Sequence, residues 1–258
     1  MHGSSRLDLS SPRGNEALMS VIDANYAISR RTRLPVVYRI CARAALAIHA
    51  VRRYTKQRPL RVLDVGAADG QGLAQMAAAL GPGNLIGVER SEILRAAARD
   101  LPPCTELTDG DAMCLTDGME ERSFDVLTML AVLEHLSDPR GAVLEAVRLL
   151  RHGGLLVATC PNPAWDVLSE QTGLEADHHH LNAIGLPHLR GLLEEAGCRI
   201  LEARRFMWAP VAVLPYARIP VPVPLARNLD AVVNRIPLLR RLCVNACVVA
   251  RRGIAPSR

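Results

Sequence analysis

Arg61-Val62-Leu63-Asp64-Val65-Gly66-Ala67-Ala68-Asp69-Gly70-Gln71-Gly72-Leu73 is the stretch that decides the fold. Its first half is a short apolar run that stops at a glycine. Its second half leads into an alanine-rich helix, Leu73 to Leu80, closed by Gly81-Pro82-Gly83. Strand, glycine turn and helix in immediate succession open a parallel α/β unit. The rhythm then repeats. Leu85 to Glu89 predicts a second strand, Glu92 to Asp100 a second helix, Thr105 to Asp111 a weak third strand and Phe124 to Leu130 a fourth. A helix from Pro139 to Leu150, a turn at Gly153-Gly154 and a fifth strand from Leu155 to Cys160 follow. Near-continuous apolar strands separated by helices imply a doubly wound α/β fold, its parallel sheet covered on both faces.

Outside this core the texture changes. Ala17 to Arg53 carries apolar residues at helical spacing, broken near Leu34-Pro35, which predicts two cap helices. Pro161 to Leu181 reads as a polar loop, Leu186 to Ala196 as a helix ended by Gly197, Cys198 to Phe206 as a sixth strand and Ala246 to Ala250 as the last. The expected organisation is an N-terminus with cap helices over 1–58 and one α/β domain over 59–258, carrying an insertion at 207–244 that is long for a connection.

A content of 49% hydrophobic and 22% charged residues in 258 excludes a disordered chain. The first residues lack the apolar region of a secretory signal, and no run of about 18 uncharged apolar residues suggests a spanning helix. A cytoplasmic protein is therefore expected. Seven scattered cysteines without a C-x-x-C pair read as reduced, mostly buried thiols. The net charge of +5 is concentrated near both ends, Arg30, Arg31, Arg39, Arg43 and Arg52 among the first group, so both ends could meet an anionic surface.

In an open α/β sheet the ligand crevice lies at the carboxyl ends of the strands. Asp64, Gly66 and Gly70 sit at the end of the first strand, where glycines admit a close ligand and the next helix turns its amides toward a carboxylate. Asp64 is placed for an ammonium group. Glu89, at the end of the second strand, suits the two hydroxyls of a ribose, and Asp111, after the third, suits an exocyclic amine.

VLDVGAADGQGL from Val62 to Leu73, Glu89, the pair Gly110-Asp111 and SFDVLTMLAVLEHLSDP together resemble the motifs of class I S-adenosylmethionine-dependent methyltransferases, in the small-molecule branch that includes quinone-biosynthesis enzymes. The resemblance covers roughly Arg61 to Phe206. It implies a seven-stranded Rossmann-like sheet of order 3-2-1-4-5-7-6 and S-adenosylmethionine as cofactor, with Asp64, Gly66, Ala67, Gly70, Glu89, Asp111, Ala112 and Leu130 as its contacts. One departure is Ala68, where the family usually has a glycine.

Methyl transfer needs alignment of donor and acceptor in a dry site, and an oxygen or nitrogen acceptor also needs to lose a proton. His135, just after the fourth strand, is a candidate base. The plainer alternative is that Glu134-His135 caps or packs the next helix. Asp177-His178-His179-His180 invites a metal reading, yet adjacent side chains point apart, so no metal is expected there. His180 is the candidate facing substrate, because it resembles the histidine before the last large helix of this branch.

Within the insertion, Ile219-Pro220-Val221-Pro222-Val223-Pro224 is stiff and apolar. Leu229, Val232, Val233, Ile236, Leu238, Leu239 and Leu242, interleaved with Arg227, Arg235, Arg240 and Arg241, then suggest a basic amphipathic helix or pair broken at Pro237. Such a segment serves as a lid, as a homodimer contact or as a contact with an anionic membrane, at the inner membrane face. The acceptor is accordingly a small molecule or a lipid-linked one, methylated at oxygen, nitrogen or carbon. Nucleic acid is not expected, since aromatic residues make up only 3% and no stacking platform is evident. Two other readings stand beside this one: a non-catalytic scaffold of the same fold, and a nicotinamide-dependent oxidoreductase. Gly66 to Gly72 does not fit the G-x-G-x-x-G of the latter.

Overall fold

The computed structural model describes residues 24–56, 58–115, 118–165, 167 and 180–253. Its strands are β1 (Leu60–Val65), β2 (Gly83–Glu89), β3 (Thr105–Asp109), β4 (Phe124–Leu130), β5 (Leu150–Pro161), β6 (Cys198–Trp208) and β7 (Cys243–Arg252). They form one seven-stranded sheet in the order β3-β2-β1-β4-β5-β7-β6, the expected doubly wound arrangement. β1 to β5 are parallel where they pair, and β7 runs antiparallel between β5 and β6. The start of β7 therefore joins the carboxyl ends of β4 and β5 at the crevice, with Asn245 opposite Pro161.

Helices cover both faces. Leu63, Val65, Leu127 and Met129 pack toward α5 (Pro139–Leu149) and α6 (Leu186–Glu195). Val62, Val126, Val157 and Val249, one residue out of phase, pack toward α2 (Leu34–Tyr54) and α3 (Gln71–Leu80). The period of two along each strand accounts for this split. Each fully buried leucine or valine here stabilises by roughly 1.5–3 kcal/mol. α2 is long and apolar enough to cross a membrane by length and composition. Here it packs on the sheet through Tyr38, Leu46, Ala47, Ala50 and Val51. α1 (Ala24–Thr32) precedes it, and α4 (Glu92–Ala96) follows β2.

Four expectations change. The second helix stops at Ala96 instead of Asp100, because Asp100 turns to φ +55° ahead of the helix-incompatible Pro102-Pro103. Gly153-Gly154 is a bulge inside β5, not a turn before it: Leu150 pairs with Phe124, the register shifts, and pairing resumes at Leu155. Part of the N-terminal basic group is engaged internally, since Arg30 and Arg31 bind Asp69, Arg39 donates to Tyr216 and Arg43 to Asn245, while Arg33, Arg53, Lys56 and Arg58 are exposed. In the insertion, finally, a helix begins at Val223 inside the stretch read as stiff, with Pro224 tolerated in its first turn. The insertion folds as α7 (Ala209–Ala212), a 3-10 turn Leu214–Ala217, α8 (Val223–Val233) and a 3-10 turn Leu239–Leu242. Ala226 and Val233 of α8 are buried, and Asp230 accepts from the Met207 and Trp208 amides at 2.9 Å each, fastening the end of β6 where Met207 takes φ +61°.

Candidate active site

The cofactor side is built from the β1–α3 loop. Gly66 and Gly70 both lie at φ +74°, a conformation glycine adopts without strain, and the Gly66 and Ala67 amides donate to the Val88 carbonyl. The loop lies so close to β2 that a Cβ on Gly87 would stand 2.7 Å from that of Ala67. Ala68 explains the family's preference for glycine: it sits at φ +52°, which costs an alanine about 1 kcal/mol. Its methyl group packs with Ala27 of α1 and Leu94 of α4, so the departure serves to seat the cap helix.

Three carboxylates line successive strand ends. Asp64 is buried in β1 and accepts from Thr128 Oγ1 at 2.5 Å, its register partner on β4. Burial pushes its carboxyl up to about 7 against that hydrogen bond, with the neighbouring Glu89 adding to the rise and Arg30 opposing it. Such a carboxyl favours a cationic partner, as the ammonium of a methionine tail would be. Glu89 ends β2 and accepts from the Ala68 amide at 2.9 Å and the Ser91 amide at 2.8 Å, which aims the carboxylate along the loop. Asp111 lies beyond the end of β3, accepts from the Met113 amide at 2.9 Å and pairs with Arg90 at 3.2 Å. Ala67 and Ala112 are buried, while Leu130, half-buried, ends β4. Asp64, Gly66, Ala67, Gly70 and Glu89 thus surround one loop, and the donor set suits the cofactor.

Sequence reasoning passed over the latch on this loop. Asp69 is fully buried, paired with Arg30 Nε at 2.9 Å and Arg31 Nε at 3.2 Å, and Gln71 Nε2 donates to it at 2.6 Å. Gln71 also donates to the Arg30 carbonyl. α1 is therefore bound over the glycine loop by charge. Asp69-Gly70 reads as turn chemistry in isolation, and nothing local tells that its partners lie in the cap.

Across β4, Leu133–His135 forms a 3-10 turn, and the chain passes Ala131 at φ +59°. The α5 cap is Asp138, whose side chain accepts from the Gly141 amide at 2.9 Å, so Glu134-His135 is not the cap. The Leu181 and Asn182 amides donate to the Glu134 carbonyl at 2.8 and 3.1 Å, and Asn182 Nδ2 to the Leu136 carbonyl. These bonds draw His180 to His135, ring centroids 5.0 Å apart. Asp177, His178 and His179 lie outside the described residues. On the same side, Arg39 donates to Tyr216 Oη at 2.8 Å and Arg43 to Asn245 Oδ1 at 3.1 Å. Burial lowers Arg43 to about 10, Glu134 opposing, which leaves it charged at neutral pH.

A methyltransferase-domain family model matches residues 38–203. The chain is 31% identical over 133 residues to the 27-O-demethylrifamycin SV methyltransferase of Amycolatopsis mediterranei, covering 48% of this chain and 46% of that protein. It is 31% identical over 140 residues to a probable S-adenosylmethionine-dependent methyltransferase of Mycolicibacterium smegmatis, covering 54% and 52%. The match thus spans about half the length of these curated relatives. Among solved structures, a Haloferax volcanii methyltransferase described as putative, in complex with the Trm112 activator, superposes with a TM-score of 0.64 at 18% identity, covering 91% of this chain and 96% of that one. A nicotinamide-dependent oxidoreductase is not what the sequence and fold together describe. With the sheet order, the glycine loop and the family match in agreement, the chain belongs to the class I S-adenosylmethionine-dependent methyltransferases, and S-adenosylmethionine is its cofactor.

Proposed function

We propose that the chain transfers the methyl group of S-adenosylmethionine to an oxygen or nitrogen of a small-molecule or lipid-linked acceptor bound beyond the ends of β4 and β5, with His135 promoting loss of the acceptor's proton. One observation carries the reading: Gly66 of the glycine loop lies so close to the turn after β4 that a Cβ on it would stand 2.7 Å from Val132 Cγ2, and His135, paired with His180, follows in that turn. The cofactor loop and a group able to accept a proton therefore face one crevice. The rifamycin relative is named as an O-methyltransferase by the position it modifies, which favours oxygen among the atoms. Radiolabelled methyl transfer to a panel of hydroxylated acceptors tests this. His135→Ala is expected to lose about 100-fold or more in kcat with S-adenosylhomocysteine binding retained; undiminished turnover would remove His135 from that role.

The insertion supports an acceptor drawn from an anionic bilayer. Val213, Ile219, Leu225, Val232, Ile236, Leu238 and Leu242 are exposed, Leu238 by 71%. Arg218, Arg227, Arg235, Arg240 and Arg241 are exposed beside them, whereas the acid of the same stretch, Asp230, is buried under β6. A face that is apolar and wholly cationic complements anionic headgroups. Flotation with vesicles containing anionic lipid, lost on reversing Arg235, Arg240 and Arg241 to Glu, is the expected result. A dimer in solution without flotation would assign the face to a second copy.

A further inference from the structure

Glu134, His135 and His180 form a cluster that methyl transfer by a free base does not use in full. Each offers one ligand-type atom, and these atoms all lie within 4.8 Å of one another. Glu134 is only 1% exposed, and its Oε2 is buried with no hydrogen-bond partner among the described residues. A buried carboxylate oxygen without a donor is an unfavourable arrangement unless a cation accompanies it. Arg43 is close enough for its charge to be felt at Glu134, yet its guanidinium is bound to Asn245 and makes no ion pair with Glu134 among the described contacts. The two imidazoles are tilted by 58° and so are not stacked. The three groups come from two segments held together from behind: both the Leu181 and Asn182 amides donate to the Glu134 carbonyl, and Asn182 Nδ2 to that of Leu136. A bracket of that kind orients side chains for a ligand common to all three.

We propose that Glu134, His135 and His180 form a site for one divalent first-row transition cation, Zn²⁺ or Mn²⁺, on the acceptor side of the crevice. Two imidazole nitrogens and a carboxylate oxygen are the donor set of open catalytic sites of this type, whereas Mg²⁺ and Ca²⁺ select oxygen ligands. From the sequence no metal is expected, on the ground that the adjacent side chains of the run Asp177 to His180 point apart. The cluster draws only His180 from that run and takes its other two ligands from the 3-10 turn after β4. Three protein ligands leave coordination positions open for an acceptor hydroxyl, whose proton is then lost to water more readily. The acceptor oxygen forms its bond to the methyl carbon as the carbon–sulfur bond breaks, the sulfonium leaving as a neutral thioether, so no further reactant is needed. This role rests on the methyl-transfer reading and makes His135 a ligand in place of a free base.

The test is isothermal titration of MnCl₂ and of ZnCl₂ into the full chain after removal of metals, with MgCl₂ in parallel and S-adenosylhomocysteine titrated separately. One equivalent of Mn²⁺ or Zn²⁺ is expected to bind, tenfold or more weaker in both Glu134→Gln and His180→Ala, with Mg²⁺ far weaker and His188→Ala, on the exposed side of α6, unchanged. Retained S-adenosylhomocysteine binding in each variant certifies its fold. Absence of saturable binding by Mn²⁺ and Zn²⁺, or binding indifferent to both ligand substitutions, overturns the site. Metal binding in a chain that fails to bind S-adenosylhomocysteine would leave the site standing and sink the methyl-transfer reading instead.

Discussion

The two sides of the crevice are assembled in different ways. On the cofactor side, Asp64, Gly66, Ala67 and Gly70 come from one uninterrupted strand, turn and loop, and Glu89 joins them because β2 is the neighbouring strand. On the side proposed for the acceptor, Arg39 and Arg43 come from a cap helix, Glu134 and His135 from the turn after β4, His180 from a distant loop, Tyr216 from the insertion and Asn245 from β7. A common cofactor is met by a local motif, while the acceptor face is composed of segments free to vary independently. Binding of cofactor should therefore tolerate damage to the insertion, whereas the cap helix α1, distant in sequence but latched to the glycine loop, should be needed for it.

The largest effect expected is at that latch. Asp69→Ala leaves Arg30 and Arg31 without their carboxylate beside a buried loop, and breaking such a pair costs about 3 kcal/mol, discounted for the partial exposure of Arg31. Urea unfolding would measure the loss, and S-adenosylhomocysteine affinity should fall with it. A change within error in both would detach α1 from the cofactor site. Next comes Asp230→Ala, which strands the Met207 and Trp208 amides and is expected to cost roughly 2 kcal/mol. Here S-adenosylhomocysteine affinity should hold, and a parallel fall would break the division between the two sides.

A smaller effect concerns pH. Asp64 is raised to about 7 in the folded chain, so the native state holds a proton that the unfolded state has released, and its contribution to stability falls as pH rises from about 4 to about 7. A cationic ligand beside it favours the ionised form. S-adenosylhomocysteine should then bind about tenfold more tightly at pH 8 than at pH 6, with proton release. In Asp64→Asn that slope should vanish; an unchanged slope would place the titrating group elsewhere.

What the sequence made legible follows the same division. VLDVGAADGQGL and the apolar runs around it announced β1, β2, β4 and the carboxylates at the strand ends because each signal is contiguous, and alternation of buried faces left little choice of register. Asp69 escaped because its partners lie in α1, and a buried ion pair between distant segments has no local signature. Gly153-Gly154 carried turn chemistry that a β-bulge uses equally well. Glu134 was read only as capping or packing the next helix, because nothing local shows that the 3-10 turn buries its carboxylate beside a histidine from a distant loop. The insertion's basic amphipathic pattern was legible, but its anchoring through Asp230 to the backbone of β6 was not.

Isothermal titration of S-adenosylhomocysteine into the purified chain, with Asp64→Ala and Glu89→Ala beside it, tests the central claim most directly. Micromolar binding to the wild type, weakened roughly 10- to 100-fold by each substitution, is the predicted result. Absence of binding, or binding that neither substitution disturbs, would contradict it and leave the fold serving as a scaffold.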